Sequence, residues 1–150
     1  MKTTKLLLAL AIVFAALSFG FKARAQTMVP VRLYSGSNDV PLWTGSTTWY
    51  LTLHNESTNE DIYLQTQYYN LGDDGYFHLG DIPEGTYTVT ASYYNSGVSE
   101  EWFDYYVNNS GWIYNHHMYS GTDSTLATGV VVSYNISTPD SGLTLYTFTN

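Results

Sequence analysis

The sequence predicts an all-β fold, an antiparallel Greek-key β-sandwich formed by one domain. Three observations lead to this fold class. Short segments alternate between apolar and polar residues with the period of two that β-strands require. Clusters rich in Gly, Asn, Asp, Ser and Pro separate these segments. No window after the first 25 residues keeps the 3.6-residue period of an amphipathic helix, so the strands are expected to pack as two sheets.

The alternating segments place eight strands along the chain. They cover residues 29–34, 49–54, 61–69, 76–79, 86–93, 102–107, 129–136 and 143–148. Residues 112–119 form a further candidate strand, but their alternation is irregular. The same alternation predicts which side chains point into the core, namely Trp49, Leu51, Leu53, Tyr87, Val89, Ala91 and Tyr93.

Residues 1–25 have the layout of a secretory signal peptide. Two lysines precede an apolar run over residues 6–19, and residues 23–25 offer the small-residue cleavage site Ala-Arg-Ala. The run is short for a membrane span, so we expect cleavage and no membrane span in the mature chain. The protein would then be secreted, either extracellular or at the cell surface, and residues 26–150 would form a single β-sandwich domain.

The charge balance limits the kinds of partner. The chain has 5 Lys+Arg and 13 Asp+Glu, and four of the five cations lie in the first 25 residues. Cleavage leaves Arg32 as one cation against 13 acids, a formal net charge of −12. A chain of this charge repels polyanions, which argues against nucleic acid as a partner. The chain also has no Cys, which excludes disulfides, thiol nucleophiles and Cys-ligated metals.

One segment, residues 75–91, has the form of a strand, a tight corner and a second strand. It reads G-Y-F-H-L-G-D-I-P-E-G-T-Y-T-V-T-A. Pro83 is expected to end the first strand, and Gly85 is expected to supply the conformational freedom of the corner. The segment resembles the G-x-F-x-L-x-x-I-P-x-G-x-Y-x-V signature of carboxypeptidase-regulatory-like and collagen-adhesin B-type domains. This resemblance spans about residues 47–94.

The resemblance implies a transthyretin-like (prealbumin-like) core of seven strands, here with additional strands at both ends. It carries a fold and no chemistry. Adhesin domains of this type often contain a Lys–Asn isopeptide bond, and the chain after residue 25 has no Lys. We therefore expect any contact between subunits to be noncovalent.

The sequence contains no recognisable catalytic constellation. It has no Gly-x-Ser-x-Gly elbow and no Cys. Asp73 and Asp74 fall in a predicted turn, and Glu100 and Glu101 are expected to lie in a loop. We expect no catalytic residue and a protein that is not an enzyme. The enzymatic alternative is a small hydrolase or metal-dependent enzyme that gathers carboxylates, or His54 and His78, in a cleft. The two histidines would meet only if their strands are neighbours.

No cofactor is expected, and calcium is the alternative. Acid-rich loops suit a hard cation, and Asp73, Asp74 and Asp81 are the candidates, although their spacing is not that of an EF-hand. A transition metal is disfavoured because His116 and His117 are adjacent and would point to opposite faces of a strand.

Tyrosine, with 15 residues, is the most abundant aromatic residue. The doublets at 68–69, 93–94 and 105–106 would each place one ring in the core and the next ring on the opposite face. With other aromatic residues they predict a binding surface, for which the candidates are Tyr69, Tyr94, Trp102, Tyr105, Trp112, Tyr114 and Tyr119. The alternative is that these rings only stabilise a sheet by cross-strand pairing.

These observations favour a secreted, non-enzymatic interaction or assembly module, such as an adhesive or filament-type subunit. Its partners would be other protein subunits, copies of itself included, reached through the aromatic surface or through a terminal strand from residues 26–34 or 143–150. The alternative is a carbohydrate-binding module that stacks Tyr and Trp rings on an extracellular glycan. A broad aromatic patch favours assembly, whereas two or three coplanar rings with polar neighbours favour sugar binding.

Overall fold

The computed structural model of the chain describes residues 26–37, 40–41, 47–108, 110–135 and 142–149. Within them, two sheets pack as a sandwich, which confirms the all-β prediction. The predicted signal peptide and the last residue of predicted strand 129–136 lie outside the described residues. The elements are β1 (Met28–Ser37), β2 (Val40–Pro41), β3 (Thr47–Asn55), β4 (Glu60–Gln65), a 3₁₀ helix (Tyr68–Asn70), β5 (Phe77–Pro83), β6 (Gly85–Asn95), β7 (Glu100–Val107), β8 (Trp112–Tyr119), β9 (Ser124–Val132) and β10 (Leu143–Thr149).

Sheet A has the strand order β2-β1-β10-β7-β8, with β5 also paired to β1, and sheet B has the order β4-β3-β6-β9. β1 and β10 run parallel, with Val31 opposite Leu143 and Gly36 opposite Phe148. The prediction of a wholly antiparallel sandwich is therefore wrong at this pair. The two strands come from opposite ends of the domain and share no hairpin, so the chain does not force them to run antiparallel.

The core is organised around Trp49 on β3. Its ring centroid lies 5.8 Å from that of Tyr93 on β6 and 5.0 Å from that of Phe103 on β7, and the latter two are 5.0 Å apart. β3 and β6 belong to sheet B and β7 belongs to sheet A, so these three buried rings join the two layers. The indole N–H of Trp49 also donates to Ser35 Oγ of β1 at 3.3 Å.

Two buried tyrosines connect the sheets by hydrogen bonds. Tyr93 of sheet B donates its hydroxyl to the carbonyl of Met118 in sheet A, at 3.3 Å. Tyr105 of sheet A donates to the carbonyl of Leu126 in sheet B, at 3.0 Å. Burial is the main cause that raises the pKa of both phenols, and two nearby carboxylates add to the effect at Tyr93. Both rings therefore fill the core without leaving a polar atom unpaired.

The predicted strands agree with the structure in their inward faces and differ at some ends. All seven predicted core side chains of β3 and β6 are buried. The strand predicted over 61–69 stops at Gln65, and its last part becomes the 3₁₀ helix. β9 begins already at Ser124, before the predicted start. The segment 112–119 is a complete strand. Its alternation is irregular in the sequence because a β-bulge adds one residue to it.

The predicted corner after β5 forms, but Gly85 has a different role. β5 ends at Pro83 as predicted, and the Tyr87 hydroxyl donates to the Pro83 carbonyl at 2.8 Å. Gly85 does not adopt a positive φ, so the corner does not use the conformational freedom that glycine was expected to supply. A Cβ at this position would lie 3.0 Å from Nδ2 of Asn55. Any larger residue here would press on the Asn55 side chain at the end of β3.

Gly142, just before β10, gives the first testable prediction. Its φ is 114°, and an added Cβ would collide with the carbonyl oxygen of Pro30 in β1. Gly142→Ala should therefore destabilise the protein by about 1–3 kcal/mol, measured by urea unfolding. Gly97→Ala is the matched control, because a Cβ there would meet no heavy atom closer than 3.8 Å. Equal unfolding free energies for the two variants would contradict the assigned strain.

Glu56, in the turn between β3 and β4, links two further strands of sheet B. Its Oε1 accepts hydrogen bonds from the backbone N–H of Gly129 on β9 and from the hydroxyl of Thr88 on β6, each at 2.9 Å. The bond from Gly129 is the main cause that lowers the pKa of the Glu56 carboxyl from its ordinary value of 4.5, and the bond from Thr88 adds to it.

The lowered pKa of Glu56 predicts that the free energy of unfolding decreases in acid. Because its pKa is lower in the folded protein, the carboxylate stabilises the fold above pH 4.5, and this contribution is lost as the pH falls through the folded-state pKa. Glu56→Gln should make the loss of stability on the acid side shallower. Urea midpoints between about pH 3 and pH 7 test this. Glu60→Gln is the control. If the urea midpoint of Glu56→Gln fell with decreasing pH as steeply as that of Glu60→Gln, the role assigned to the Glu56 carboxylate would be refuted.

Candidate binding surface

The outer face of sheet A is covered by aromatic side chains. The alternation that turns Leu33, Tyr105 and Leu145 into the core turns their chain neighbours outward. The outward rings contact one another across the sheet without a break. We call this set the aromatic face; it consists of Tyr34 (β1), Tyr76 (next to β5), Tyr106 (β7), Trp112 and Tyr114 (β8), and Tyr146 and Phe148 (β10).

Tyr146 lies at the centre of the aromatic face. Its ring centroid is 5.9–6.3 Å from those of Tyr34, Tyr76, Tyr106 and Trp112, with interplanar angles of 43–77°. Its hydroxyl oxygen is 2.9 Å from that of Tyr76, within hydrogen-bond distance. Tilted and edge-to-face rings are the arrangements that aromatic quadrupoles favour. This central part of the face therefore stabilises sheet A itself, in the way that cross-strand pairing would.

The aromatic face becomes accessible where it reaches the edge strand β8. Trp112 is 43% exposed and Tyr114 is 65% exposed. Their rings are stacked, with centroids 6.4 Å apart and 22° between their planes. On its inner side Trp112 lies 5.6 Å from both Tyr106 and Phe148. The exposed pair is thus held by the half-buried rings behind it.

A second group of rings, the Trp102 cluster, lies further along the outer face of β7 and β8. The rings of Trp102 and His117 are stacked, with centroids 4.5 Å apart and 21° between planes. Tyr119 meets His117 at 4.7 Å, and Glu100 Oε2 lies 3.2 Å from His117 Nε2. Trp102 and Tyr119 are each about half exposed. These side chains extend the accessible aromatic surface along the same two strands.

A β-bulge separates the aromatic face from the Trp102 cluster. Tyr114 and Asn115 of β8 together oppose Asp104 of β7. Asn115 has a φ of 54°, in the left-handed region that Asn tolerates, and its N–H donates to Asp104 Oδ1 at 2.8 Å. The extra residue switches the alternation of β8. Rings on both sides of the bulge therefore point outward.

Few charged groups lie beside this surface. Arg32, the one Lys or Arg after residue 25, points outward from β1, with its guanidinium carbon 6.0 Å from the ring centroid of Tyr76. Asp104 and Glu100 are on β7, and β8 itself contains no acid. The accessible strand is therefore uncharged apart from any proton that its histidines take up.

The structure gathers four of the seven aromatic candidates on the outer face of sheet A. They are Trp102, Trp112, Tyr114 and Tyr119. Tyr94 is exposed on the other sheet, on β6, and Tyr69 is exposed on the 3₁₀ helix. The surface is thus a feature of β7 and β8 and not of the Tyr doublets as a group.

The prediction that Tyr105 belongs to the surface is wrong. Tyr105 is the inward member of its doublet and is 5% exposed, and its neighbour Tyr106 is the outward member. Sequence reasoning also missed Tyr34, Tyr76, Tyr106, Tyr146 and Phe148. The alternation of their strands already turns these side chains outward. It could not show that β1, β10 and β7 lie side by side.

Among the described residues, no group of three or more His, Asp or Glu side chains is placed to hold a metal ion. The calcium candidates Asp73, Asp74 and Asp81 are thus not brought together. Asp74 Oδ1 accepts a hydrogen bond from the Tyr76 N–H at 3.1 Å and lies 3.1 Å from His78 Nε2. The Tyr76 N–H is the main cause that lowers the pKa of the Asp74 carboxyl.

The histidines are separated in the fold. His54 and His78 do not meet, because β3 and β5 belong to different sheets. His116 and His117 point to opposite faces as predicted: His116 Nε2 lies 2.8 Å from Ser124 Oγ, between the sheets, and His117 is outside. Burial is the main cause that lowers the pKa of His116.

The carboxylates give no support to a hydrolytic cleft. The prediction that Glu100 and Glu101 lie in a loop is wrong, because both residues belong to β7. Burial raises the pKa of the Glu101 carboxyl. A cleft of about 350 Å³ opens between the β7–β8 turn and β9. The described residues that line it carry no titratable side chain; they are Val107, Asn108, Ser110, Thr128, Gly129, Val130 and Val131.

The terminal segments are interior strands, so the expectation that they lend a strand to a neighbour is wrong. β1 pairs with β10 and also with β2 and β5. β10 lies between β1 and β7. Their backbone hydrogen-bonding groups are therefore already used within sheet A. Among the described residues, the strands at the edges are β2, β5 and β8 in sheet A and β4 and β9 in sheet B.

No protein-family model matches the sequence, and no curated protein or solved structure is significantly similar to it. Within the described residues, no helix is long and apolar enough to cross a membrane. The carboxypeptidase-regulatory-like resemblance therefore stays a prediction from the residues that carry it.

Asp104 gives a prediction about the bulge. Asp104→Ala removes the acceptor of the Asn115 N–H, which should lower the unfolding free energy by about 1 kcal/mol and speed exchange of that amide. Urea unfolding and amide exchange measured by NMR test both effects. Asp123→Ala, an exposed turn acid, is the control and should change stability by less than about 0.5 kcal/mol. Unaltered Asn115 exchange in Asp104→Ala would contradict the role assigned to the carboxylate.

Proposed function

We propose that this protein is a secreted, non-enzymatic extracellular module that docks noncovalently onto other protein subunits. The docking surface is the outer face of β7 and β8, from Tyr114 and Trp112 to the Trp102 cluster. The observation that carries the proposal is that seven rings on this sheet form one continuous network whose exposed end lies on an edge strand. The layout of residues 1–25 supports secretion.

The shape of the surface favours a protein partner. It contains two separate stacked pairs, Trp112–Tyr114 and Trp102–His117, and Tyr119 meets the second pair edge-to-face. Its rings therefore form a broad, uneven patch and not one flat platform. Tyr and Trp are enriched at protein interfaces because they bury a large apolar area and keep a polar tip. A patch of this kind is costly to leave in water and is typical of interaction sites.

The charge pattern points the same way. A mature chain with one cation and 13 acids approaches a similarly acidic partner only through regions that lack charge. β8 is such a region. With no Lys after residue 25, covalent isopeptide assembly is not available, so affinity must come from burial of aromatic surface.

The test uses the tagged full chain isolated from the cells that secrete it. We compare the wild type with the double variant Trp112→Ser/Tyr114→Ser. The native molar mass of each preparation is measured, and mass spectrometry identifies the subunits that co-purify with it. We expect the wild type to carry stoichiometric subunits and the double variant to lose at least about tenfold in affinity for them, as for the loss of an aromatic hot spot. Tyr50→Ser/Tyr63→Ser, on the exposed face of sheet B, is the control.

Retention of the subunits by the Trp112→Ser/Tyr114→Ser variant would overturn the assignment of the surface. A wild type without any stoichiometric subunit would overturn the assembly function itself.

Carbohydrate binding is the second candidate, and one observation favours it. Trp112 and Tyr114 are nearly parallel, with 22° between their planes, and the carboxylate of Asp104 lies on the neighbouring strand. Parallel rings beside a polar group suit stacking on a sugar. Affinity electrophoresis in gels that contain neutral polysaccharides tests this directly. Retardation of the wild type, lost in Tyr114→Ala and kept in Tyr63→Ala, would replace the protein partner by a glycan.

A further inference from the structure

We propose that Tyr76 and Tyr146 form a site of oxidative modification, at which a one-electron oxidant couples the two side chains into a dityrosine cross-link within one chain. The cross-link would join the residue before β5 to β10. This inference goes beyond the docking function and does not depend on it.

The hydroxyl groups of the two side chains already lie as coupling requires. Dityrosine forms through a bond between the ring carbons next to the two hydroxyls, so the product holds these hydroxyls side by side. The hydroxyl oxygens of Tyr76 and Tyr146 are 2.9 Å apart. Their ring centroids are 5.9 Å apart, with 77° between the planes. A closer approach of the rings, with the hydroxyls kept together, brings the two carbons into bonding distance.

The backbone pairing of sheet A fixes the positions of the two residues. β1 lies between β5 and β10 and pairs with both, with Leu33 opposite Phe77 and Tyr34 opposite Tyr146. Tyr76 and Tyr146 are therefore neighbours in space although they are 70 positions apart in the sequence. A reaction between groups held in contact proceeds much faster than the same reaction between separate molecules. Coupling within one chain is thus favoured over coupling between chains.

Other tyrosines are placed less well for coupling. The rings of Tyr87, Tyr93 and Tyr105 are buried, and each directs its hydroxyl to a backbone carbonyl. Tyr63 and Tyr69 are exposed on sheet B and on the 3₁₀ helix, where coupling would need a collision between two chains. Such collisions are slowed by the 13 acids of each chain.

The composition leaves phenols as the groups that can link the chain covalently. With no Cys, the chain cannot form a disulfide, and no thiol competes for an oxidant. With no Lys after residue 25, it cannot form an isopeptide bond there. It has 15 Tyr, and the aromatic face holds several of them in contact.

The aromatic face also connects the half-buried pair to solvent. Trp112 is partly exposed, and its ring centroid lies 6.3 Å from that of Tyr146. Electrons pass readily between rings at such a distance, and at neutral pH a tyrosyl radical is more stable than a tryptophanyl radical. An oxidant that reaches Trp112 can therefore generate the radical on Tyr146.

The reaction balances with hydrogen peroxide as the oxidant and a peroxidase as the catalyst. Each phenol loses one electron and one proton and becomes a tyrosyl radical. The two radicals form a carbon–carbon bond, and the hydrogen on each bonded carbon then moves to the phenol oxygen. One peroxide takes up two electrons and two protons and leaves as two waters. The chain loses two hydrogens in total.

The first experiment treats the purified full chain with peroxidase and hydrogen peroxide, at a dilution that slows reaction between chains. We expect a monomer two hydrogens lighter, in which tandem mass spectrometry of proteolytic fragments places the bond between Tyr76 and Tyr146. Tyr76→Phe keeps the ring, removes the phenol and should lose this product. Tyr63→Phe, which removes an exposed phenol of sheet B, is the control and should keep it.

Several results of this experiment would overturn the proposal. One is a main product in which Tyr76 is joined to Tyr34, or Tyr146 to Tyr106, since these rings are also in contact. Another is a main product that joins two chains. A third is an unchanged mass under conditions that couple free tyrosine. Tyr146→Phe gives the same test as Tyr76→Phe if the latter does not fold.

The second experiment measures the rate at which the cross-link forms. Trp112→Phe should slow it, because phenylalanine is not oxidised under these conditions. Trp102→Phe is the matched control, since Trp102 is similarly exposed but lies outside the aromatic face, and should leave the rate unchanged. Equal rates in the two variants would overturn the path through Trp112.

The third experiment compares urea midpoints of the cross-linked and the untreated chain. The bond closes a long loop and so lowers the entropy of the unfolded chain, which should raise the midpoint. Tyr76→Phe treated with the same oxidant is the control and should keep the midpoint of untreated Tyr76→Phe. An equal midpoint for the cross-linked and the untreated wild type would contradict a link between folded segments.

Discussion

The contact of Trp49 with Tyr93 and Phe103 is the interaction on which the rest of the sandwich depends. These three rings come from both sheets and meet in the centre of the core. The chain has few other means of cohesion, because it has one Lys or Arg after residue 25. Three histidines, His54, His78 and His117, lie beside carboxylates at positions that are partly open to solvent. Exposed pairs of this kind contribute little. The two layers are therefore held by buried apolar surface and by tyrosine hydroxyls that reach the opposite sheet.

The same aromatic composition also determines the surface. In a strand, each ring that enters the core leaves its neighbour on the outer face, and this chain often places an aromatic residue at both positions. Tyr105 and Tyr106 illustrate this: the first is buried, and the second packs against Trp112 outside. Because β1, β10, β7 and β8 are adjacent, the outward rings meet and reach the edge of the sheet as one surface. The core and the proposed docking surface thus have one origin in the sequence.

The fold class and the inward faces could be predicted because alternation is a local property. Trp49, Val89 and Tyr93 are buried where the period of two places them. Strand neighbours could not be predicted, because they depend on contacts between distant segments. The parallel β1–β10 pair and the adjacency of Tyr34, Tyr146 and Tyr106 belong to this class. The position of Tyr105 could not be predicted for a simpler reason. Alternation requires one inward ring in a doublet, and only the packing shows which of the two it is.

The bulge at Asn115 explains why the alternation of β8 is irregular in the sequence. Read as a regular strand, residues 112–119 have mismatched faces; with one extra residue, Trp112, Tyr114, His117 and Tyr119 all point outward. The regular strand β7 keeps its partners on both sides of Asn115, because two residues of β8 oppose Asp104 alone. The outward side chains of β7 and β8 therefore share one face along the whole pair. The same irregularity hides the strand from pattern analysis and keeps its accessible rings on one surface.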